Sequence, residues 1–373
     1  MLYLDYSANT PVDTDVLEEF INATNKYIAN PNSTHPLGIQ AKEQILLTSE
    51  LISSYFISSP ESVIYTSGST ESNNLVIKGI AELNPGKKII ISEIEHSSII
   101  APCNYLLEKG YDIEIIPIKE NGQIDLEILK ETIDDNTCLV SICSVDSELG
   151  CIQPIKEISE IVKKYPNCYF HTDATQAMGK VKLDYTNVDF ITFAPHKFFG
   201  MNGTGVLINK NDVKLAPQIH GGKSTTIYRS GTPVTANILA LKKAFINAVD
   251  KYESEKTFEY VANLNGYLKS YFSNFENEIS INSPETAIPH IFNISFKNIP
   301  IQTVLDVLNK NKIYVSTSSA CSLENTPSKS VFAITKDLNL AKNSLRISLS
   351  EKVCFTDLAV LITIFTNYIL EKN

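Results

Sequence analysis

The sequence lacks most of the features that mark specialised chain classes. Its seven cysteines (Cys103, Cys138, Cys143, Cys151, Cys168, Cys321 and Cys354) are odd in number and contain no CxxC pair, which excludes a disulfide framework and a zinc or other metal site. Basic residues are outnumbered, 32 Lys+Arg against 42 Asp+Glu for a net charge of -10, and no Lys/Arg cluster stands out, so a nucleic-acid partner is excluded. No apolar run approaches the ~20 residues of a membrane-spanning helix. The most apolar late segment, Leu358 to Leu370, is broken by Thr363, Thr366 and Asn367, and no membrane association is expected. Residues 1–10 (MLYLDYSANT) lack a basic n-region and a cleavage site; no secretory signal is expected, and a cytoplasmic location is. There is no internal repeat or low-complexity tract, and 43% hydrophobic with 20% charged residues excludes disorder.

At 373 residues the chain is too long for one small core and predicts two or three domains. From Lys87 onward, strand-like and helix-like segments alternate with short connections: KKIIIS, HSSIIAPCNYLLEKG, DIEIIPI, a helix to Ile133, TCLVSICSV, IKEISEIVKKY and CYFHTD. This alternation predicts an α/β fold, a mostly parallel sheet between helices, with functional side chains gathered at the carboxyl ends of the strands. Near the start, Val16, Leu17, Phe20, Ile21 and Ile28 are expected on one helical stripe, a later helix is expected from Glu71, and Pro233 opens a helical pattern to about Phe275. Strands at Ile291 to Phe296, Tyr314 to Thr317 and Leu345 to Leu349, interleaved with helices, predict a second, smaller α+β unit in which the first strand is a candidate member.

Val188 to Gly200 (VDFITFAPHKFFG) reads as a strand buried on both faces, stopped by Pro195, with His196 and Lys197 just past its end. An amine held there against Phe198 and Phe199 is partly desolvated, which makes its neutral, nucleophilic form accessible, as a Schiff-base lysine requires. A lysine after a strand is more often a solvated surface charge, and this stretch alone leaves both readings open. Cys168 to Gln176 (CYFHTDATQ) is a second such strand, ending in Asp173, with Thr175 and Gln176 behind it. An Asp at a strand end is usually a helix cap, but a carboxylate and a lysine at neighbouring strand ends also suit a cofactor whose pyridinium nitrogen must stay protonated. In Glu61 to Asn74 (ESVIYTSGSTESNN) a Gly-containing turn feeds a helix N-terminus, which suits a phosphate or a plain capping turn equally.

TSGSTESNN, EHSS, HTDATQ, PHK, RSGT, SSACS and LRISLS, in this order and spacing, resemble the cysteine desulfurases (NifS/IscS-like) of the class V, pyridoxal 5'-phosphate (PLP)-dependent aminotransferase group, and the likeness runs from Leu4 to Arg346. The resemblance implies a type I PLP-dependent transferase fold with a seven-stranded type of sheet. It implies a large cofactor domain over 12–250 and a small domain over 1–11 plus 251–373 that carries the reactive cysteine and the arginine for the substrate carboxylate. Carried over by position, it implies that Lys197 binds PLP covalently, Asp173 pairs with the pyridinium nitrogen, Gln176 meets the phenolic oxygen and His96 stacks on the ring as an acid/base candidate. Ser69, Thr70 and His196 would hold the phosphate, joined by Thr232 from a neighbouring subunit of a homodimer, and Ser147 would contact the cofactor. Asn9 and Arg346 would bind the substrate, and Cys321 would accept its sulfur. The implied reaction removes sulfur from L-cysteine, leaving L-alanine and an enzyme persulfide for an acceptor protein, an iron–sulfur scaffold or a tRNA-thiolating enzyme. A selenocysteine lyase or other class V enzyme, or a PLP-poor binding paralogue, is the alternative.

The chain departs from the pattern in places. Asp146-Ser147-Glu148-Leu149-Gly150 stands where the family usually has Asn-Asn-Glu-Ile-Gly. Ala194 stands where a phosphate-binding Ser is usual, and Thr225-Thr226-Ile227 replaces Glu-Arg-Gly before RSGT. Each lost contact is worth about 1 kcal/mol or somewhat more, which predicts a looser grip on PLP.

Overall fold

The computed structural model describes residues 1–253, 256–317 and 326–370. The strands are β1 Leu2–Tyr3, β2 Val63–Thr66, β3 Lys88–Ser92, β4 Asp112–Ile116, β5 Thr137–Ser141, β6 Tyr169–Asp173, β7 Phe190–Phe193, β8 Gly205–Asn209, β9 Ile279–Ile281, β10 Ile291–Phe296, β11 Ile313–Tyr314 and β12 Ser344–Ser348. Seven of them form one sheet in the order β2-β8-β7-β6-β5-β3-β4, parallel throughout except for β8, which runs against both neighbours. β5, β7 and β8 are buried at every residue, which is why TCLVS, FITF and GVLIN carry few polar side chains: helices cover both faces of the sheet. β4 lies at the edge and leaves three of its five residues exposed.

A second sheet, β12-β10-β9, is antiparallel and packs with the helices Lys256–Phe272, Ile301–Lys310 and Phe355–Phe365 around a separate apolar cluster that includes Phe272, Phe296 and Phe365. Leu4 and Tyr6 belong to this cluster, and β1 pairs in parallel with β11. The segment after β1 then crosses to the first sheet. Thr10 N–H donates to the His196 carbonyl at 2.9 Å and Asp13 N–H to the Phe199 carbonyl at 3.0 Å, so the opening residues meet the turn that carries Lys197.

Three local expectations need correction. The first helix, Thr14–Lys26, buries Val16 and Ala23, while Leu17 and Ile21 are exposed and Ile28 lies beyond its end. Residues 16, 20 and 23 share one line on a 3.6-residue helix; 17 and 21 sit a quarter-turn away, so the narrower stripe faces the core. The helix expected from Glu71 begins at Ser69, which places Ser69 and Thr70 in its first turn. The long pattern after Pro233 is two helices, Thr235–Glu253 and Lys256–Phe272. No helix among the described residues is long and apolar enough to cross a membrane.

Candidate active site

The carboxyl ends of β2, β3, β5, β6 and β7 open onto one cavity of about 230 Å³. Nine residues singled out from sequence line it: Ser69, Thr70, His96, Ser147, Asp173, Gln176, His196, Lys197 and Arg346. Asn9 does not; its side-chain amide donates to the Thr10 carbonyl at 3.1 Å. Thr232 is exposed in the irregular segment after β8, and Cys321 lies outside the described residues.

Lys197 sits on a single 3-10 turn, Pro195–Lys197, that Ala194 and Pro195 force at the end of β7. Its Nζ donates to the Ser7 and Ala8 carbonyls, both at 2.6 Å. Thr10 Oγ1 accepts the Phe199 N–H at 2.7 Å and donates to the His196 carbonyl at 3.0 Å, locking the turn from below. Phe199 needs the help, because its φ of +65° is unfavourable for a bulky side chain.

Asp173 ends β6 and is buried. One oxygen accepts the Thr175 N–H at 3.0 Å, the other the Asn73 Nδ2 at 2.7 Å. Asn73 also donates to Ser98 Oγ at 2.8 Å, and Ser98 Oγ lies 2.9 Å from His96 Nδ1. A continuous chain therefore joins His96 to Asp173. His96 caps the helix Ser97–Glu108, its Nδ1 accepting the Ser98 backbone N–H at 3.2 Å, so in the neutral ring the proton sits on Nε2. Burial lowers the His96 pKa, outweighing the attraction of Asp173. Burial, with Lys197 and Lys180 nearby, lowers His196 to about 4. Both imidazoles are neutral at pH 7.

The phosphate-like corner is the N-terminus of the 15-residue helix Ser69–Leu83. Its turn needs a glycine across the way: a Cβ on Gly205 would stand 2.5 Å from the Gly68 carbonyl carbon. Ser69 Oγ meets Thr175 Oγ1 at 2.7 Å, and Glu71 caps the Ser67 N–H at 2.8 Å while pairing with Arg229 at 2.8 Å. The helix N-terminal N–H groups, the positive end of the dipole and two hydroxyls suit this corner to a dianion. On the β12 side, Arg346 is 1% exposed; Nη2 pairs with Asp5 at 2.9 Å and Nη1 donates to the Ser147 carbonyl at 2.8 Å. Among the described residues these bonds use two of its five N–H groups.

Sequence reasoning missed the roles of Asn73, Ser98 and the Ser7 and Ala8 carbonyls, and noted Thr175 behind Asp173 without giving it one. Asn73 was legible in principle, since it lies one helical turn beyond Ser69 and Thr70 and so shares their face. Backbone carbonyls leave no sequence signal. Of the donors able to stand in for Ala194, Thr192 is turned away, its hydroxyl 3.0 Å from His171 Nε2. Thr175 lines the cavity instead.

Residues 2–361 match the Aminotransferase class-V family. The chain belongs to the class-V aminotransferases. It is similar to "Cysteine desulfurase IscS" of Dictyoglomus turgidum (35% identical, 93% of this chain and 89% of that one) and of Clostridium botulinum (35%, 100% and 95%). Among solved structures it resembles a "NIFS-LIKE PROTEIN" (TM-score 0.90, 32% identical, 97% of each chain) and "SspA in complex with cysteine" (TM-score 0.81, 31%, 94% of this chain and 99% of that one). This class-V chain is thus an enzyme of the cysteine desulfurase kind, from families that depend on PLP. Its cavity fits that cofactor by the chemistry of its donors: an amine for the aldehyde, a buried carboxylate held by two neutral donors for the ring nitrogen, and a helix N-terminus for the phosphate.

Proposed function

We propose that the protein takes sulfur from L-cysteine, releases L-alanine and hands the sulfur to an acceptor protein of iron–sulfur cluster assembly or tRNA thiolation. The carrying observation is the convergence of Lys197, Asp173 and Arg346, an amine, a carboxyl group and a buried guanidinium, on one cavity. Bound PLP supplies an electron sink next to the substrate Cα. Lys197 anchors it and then acts as the base at Cα, its amine steered by the Ser7 and Ala8 carbonyls. Asp173, which stays an acceptor because Asn73 and Thr175 only donate to it, keeps the ring nitrogen protonated. His96, neutral with its proton on Nε2, would cover the ring and could donate or accept one proton. Ser69, Thr70 and His196, with Thr232 of a partner subunit in a homodimer, would hold the phosphate, and Ser147 would contact the cofactor. Arg346 receives the substrate carboxylate, with Asn9 shaping the loop beneath.

The sulfur acceptor in this reading is Cys321, which lies outside the described residues. Cavity-lining Cys143 is unsuited, because burial and the carboxylates Glu95, Asp146 and Asp173 push its thiol well above the ordinary value. Burial likewise raises Cys103 to about 12 and Cys138 to about 11. In the transfer the Cys321 thiolate bonds to the substrate sulfur, the Cβ–S bond breaks, and Cβ gains a proton. The products are a persulfide and alanine, with no external oxidant or reductant. Residues 1–11 with 251–373 form the small domain in this reading, and 12–250 the large one. Purified protein loaded with PLP and given L-cysteine and a thiol reductant should yield alanine and sulfide in equal amounts. Alanine without sulfide, or neither product, would overturn the assignment.

A further inference from the structure

Lys180 is a buried ionisable group to which the reaction above gives no role. It follows Gly179, whose φ of +75° and tight surroundings, an added Cβ standing 2.9 Å from the Phe198 Cβ, turn the chain back. That turn brings Lys180 to Gln176, four residues earlier. The Lys180 side chain is buried, and the charged groups acting on it, Lys197 and Arg346, are both cations; burial and these neighbours lower its pKa to about 7. Its Nζ donates to Gln176 Oε1 at 2.7 Å. Gln176 Nε2 donates to the Ser7 carbonyl at 2.9 Å, the same carbonyl that receives Lys197 Nζ at 2.6 Å.

A carboxamide has an acceptor on one side and two donors on the other, in nearly the same shape. Here both neighbours vote the same way. As an ammonium Lys180 can only donate, and as an amine it can still donate, so oxygen is the atom that satisfies it in both states. The Ser7 carbonyl can only accept, so the atom facing it is the NH2 nitrogen. With Oε1 occupied, the second N–H of that group is what Gln176 has left to present to the cavity it lines.

We propose that Lys180 is a positioning residue that fixes the Gln176 carboxamide with its NH2 group toward the cavity, as a hydrogen-bond donor to the phenolic oxygen of PLP. The proposal rests on the assignment of the cavity to PLP. A donor at that oxygen favours its ionised form, and lysine-bound PLP with the oxygen ionised absorbs at longer wavelength than with it protonated. The spectrum thus reports the orientation of the amide without any turnover.

The test compares spectra of the PLP-loaded protein and of Lys180→Met across pH. Lys180→Met should lower the ratio of long- to short-wavelength absorbance about fivefold, the factor one ordinary hydrogen bond supplies, at unchanged far-ultraviolet circular dichroism and PLP content. Lys180→Arg, which keeps a donor, should restore the parental ratio. An unchanged ratio in Lys180→Met overturns the proposal. If Lys180→Met does not fold, Gln176→Glu decides. With oxygen toward Lys180, the substitution turns the cavity-facing donor into an acceptor and the long-wavelength band falls. With the amide reversed, the cavity-facing atom was already an acceptor and the band stays, which overturns the proposal. Absence of any PLP band in the parental protein removes the cofactor assignment and the proposal with it.

Discussion

Asp146 offers a direct test of how burial acts in this protein. The residue is buried behind the cavity, where Oδ2 accepts the Glu148 N–H at 3.1 Å and the Leu149 N–H at 2.5 Å and Oδ1 accepts the Ser330 hydroxyl at 2.8 Å. Burial, reinforced by the Glu148 charge, nevertheless raises its pKa from 3.8 to about 6. A carboxyl that binds its proton more tightly folded than unfolded makes the folded state lose stability as pH rises from about 4 through about 6. Linkage puts the loss at ~1.6 kcal/mol by pH 5 and ~3 kcal/mol by pH 8. Asp146→Asn removes the titration and keeps the contacts: the amide oxygen accepts both backbone N–H groups, and the NH2 donates to Ser330 Oγ. Denaturant unfolding should find the variant more stable than the parent, by a margin about 1.4 kcal/mol larger at pH 8 than at pH 5. An equal margin at both pH values, or a less stable variant at pH 8, would refute the reasoning.

Lys197→Ala should lose both turnover and the absorbance of lysine-bound PLP; a borohydride-reducible linkage surviving in the variant would move the attachment elsewhere. Cys321→Ser should still bind PLP and cysteine but form no protein persulfide, and mass spectrometry locating a persulfide on Cys354 or Cys103 would end the role given to Cys321. Ala194→Ser with Ser147→Asn should gain two hydrogen bonds to the cofactor, about 2 to 4 kcal/mol or roughly thirtyfold to several-hundredfold in PLP affinity. Equal or weaker binding in a titration of the apoprotein would mean that Thr175 and its neighbours already compensate.

The α/β alternation and the strand-end positions of Asp173 and Lys197 were legible because period and punctuation are local: FITF followed by Ala-Pro can hardly continue as sheet. The motif string then carried the residue roles, since no spacing rule says that Gln176 faces a ring oxygen. What stayed illegible is non-local. The floor under Lys197 comes from Ser7, Ala8 and Thr10, nearly two hundred positions away, and acts through carbonyls that every residue type possesses. Leu17 and Ile21 fit an apolar stripe by composition, but which side of the helix Thr14–Lys26 meets the core is decided by the helix Thr235–Glu253 packed against it.

The wall of the cavity also explains why Asn73 is an amide. In the proposed reading Asp173 remains an acceptor toward the cavity, so its inner oxygen needs a donor that carries no charge; a lysine or arginine there would compete with the cofactor for the carboxylate. Asn73 supplies that donor and spends its other N–H on Ser98, which in turn fixes His96 Nδ1. Among the described residues its Oδ1 is buried without a partner, a cost of about 1 to 3 kcal/mol. One side chain thus sets the hydrogen-bonding state of both Asp173 and His96, and the two cannot be altered independently. Position 73 therefore couples Asp173 to His96, even though Asn73 is buried and absent from the cavity lining.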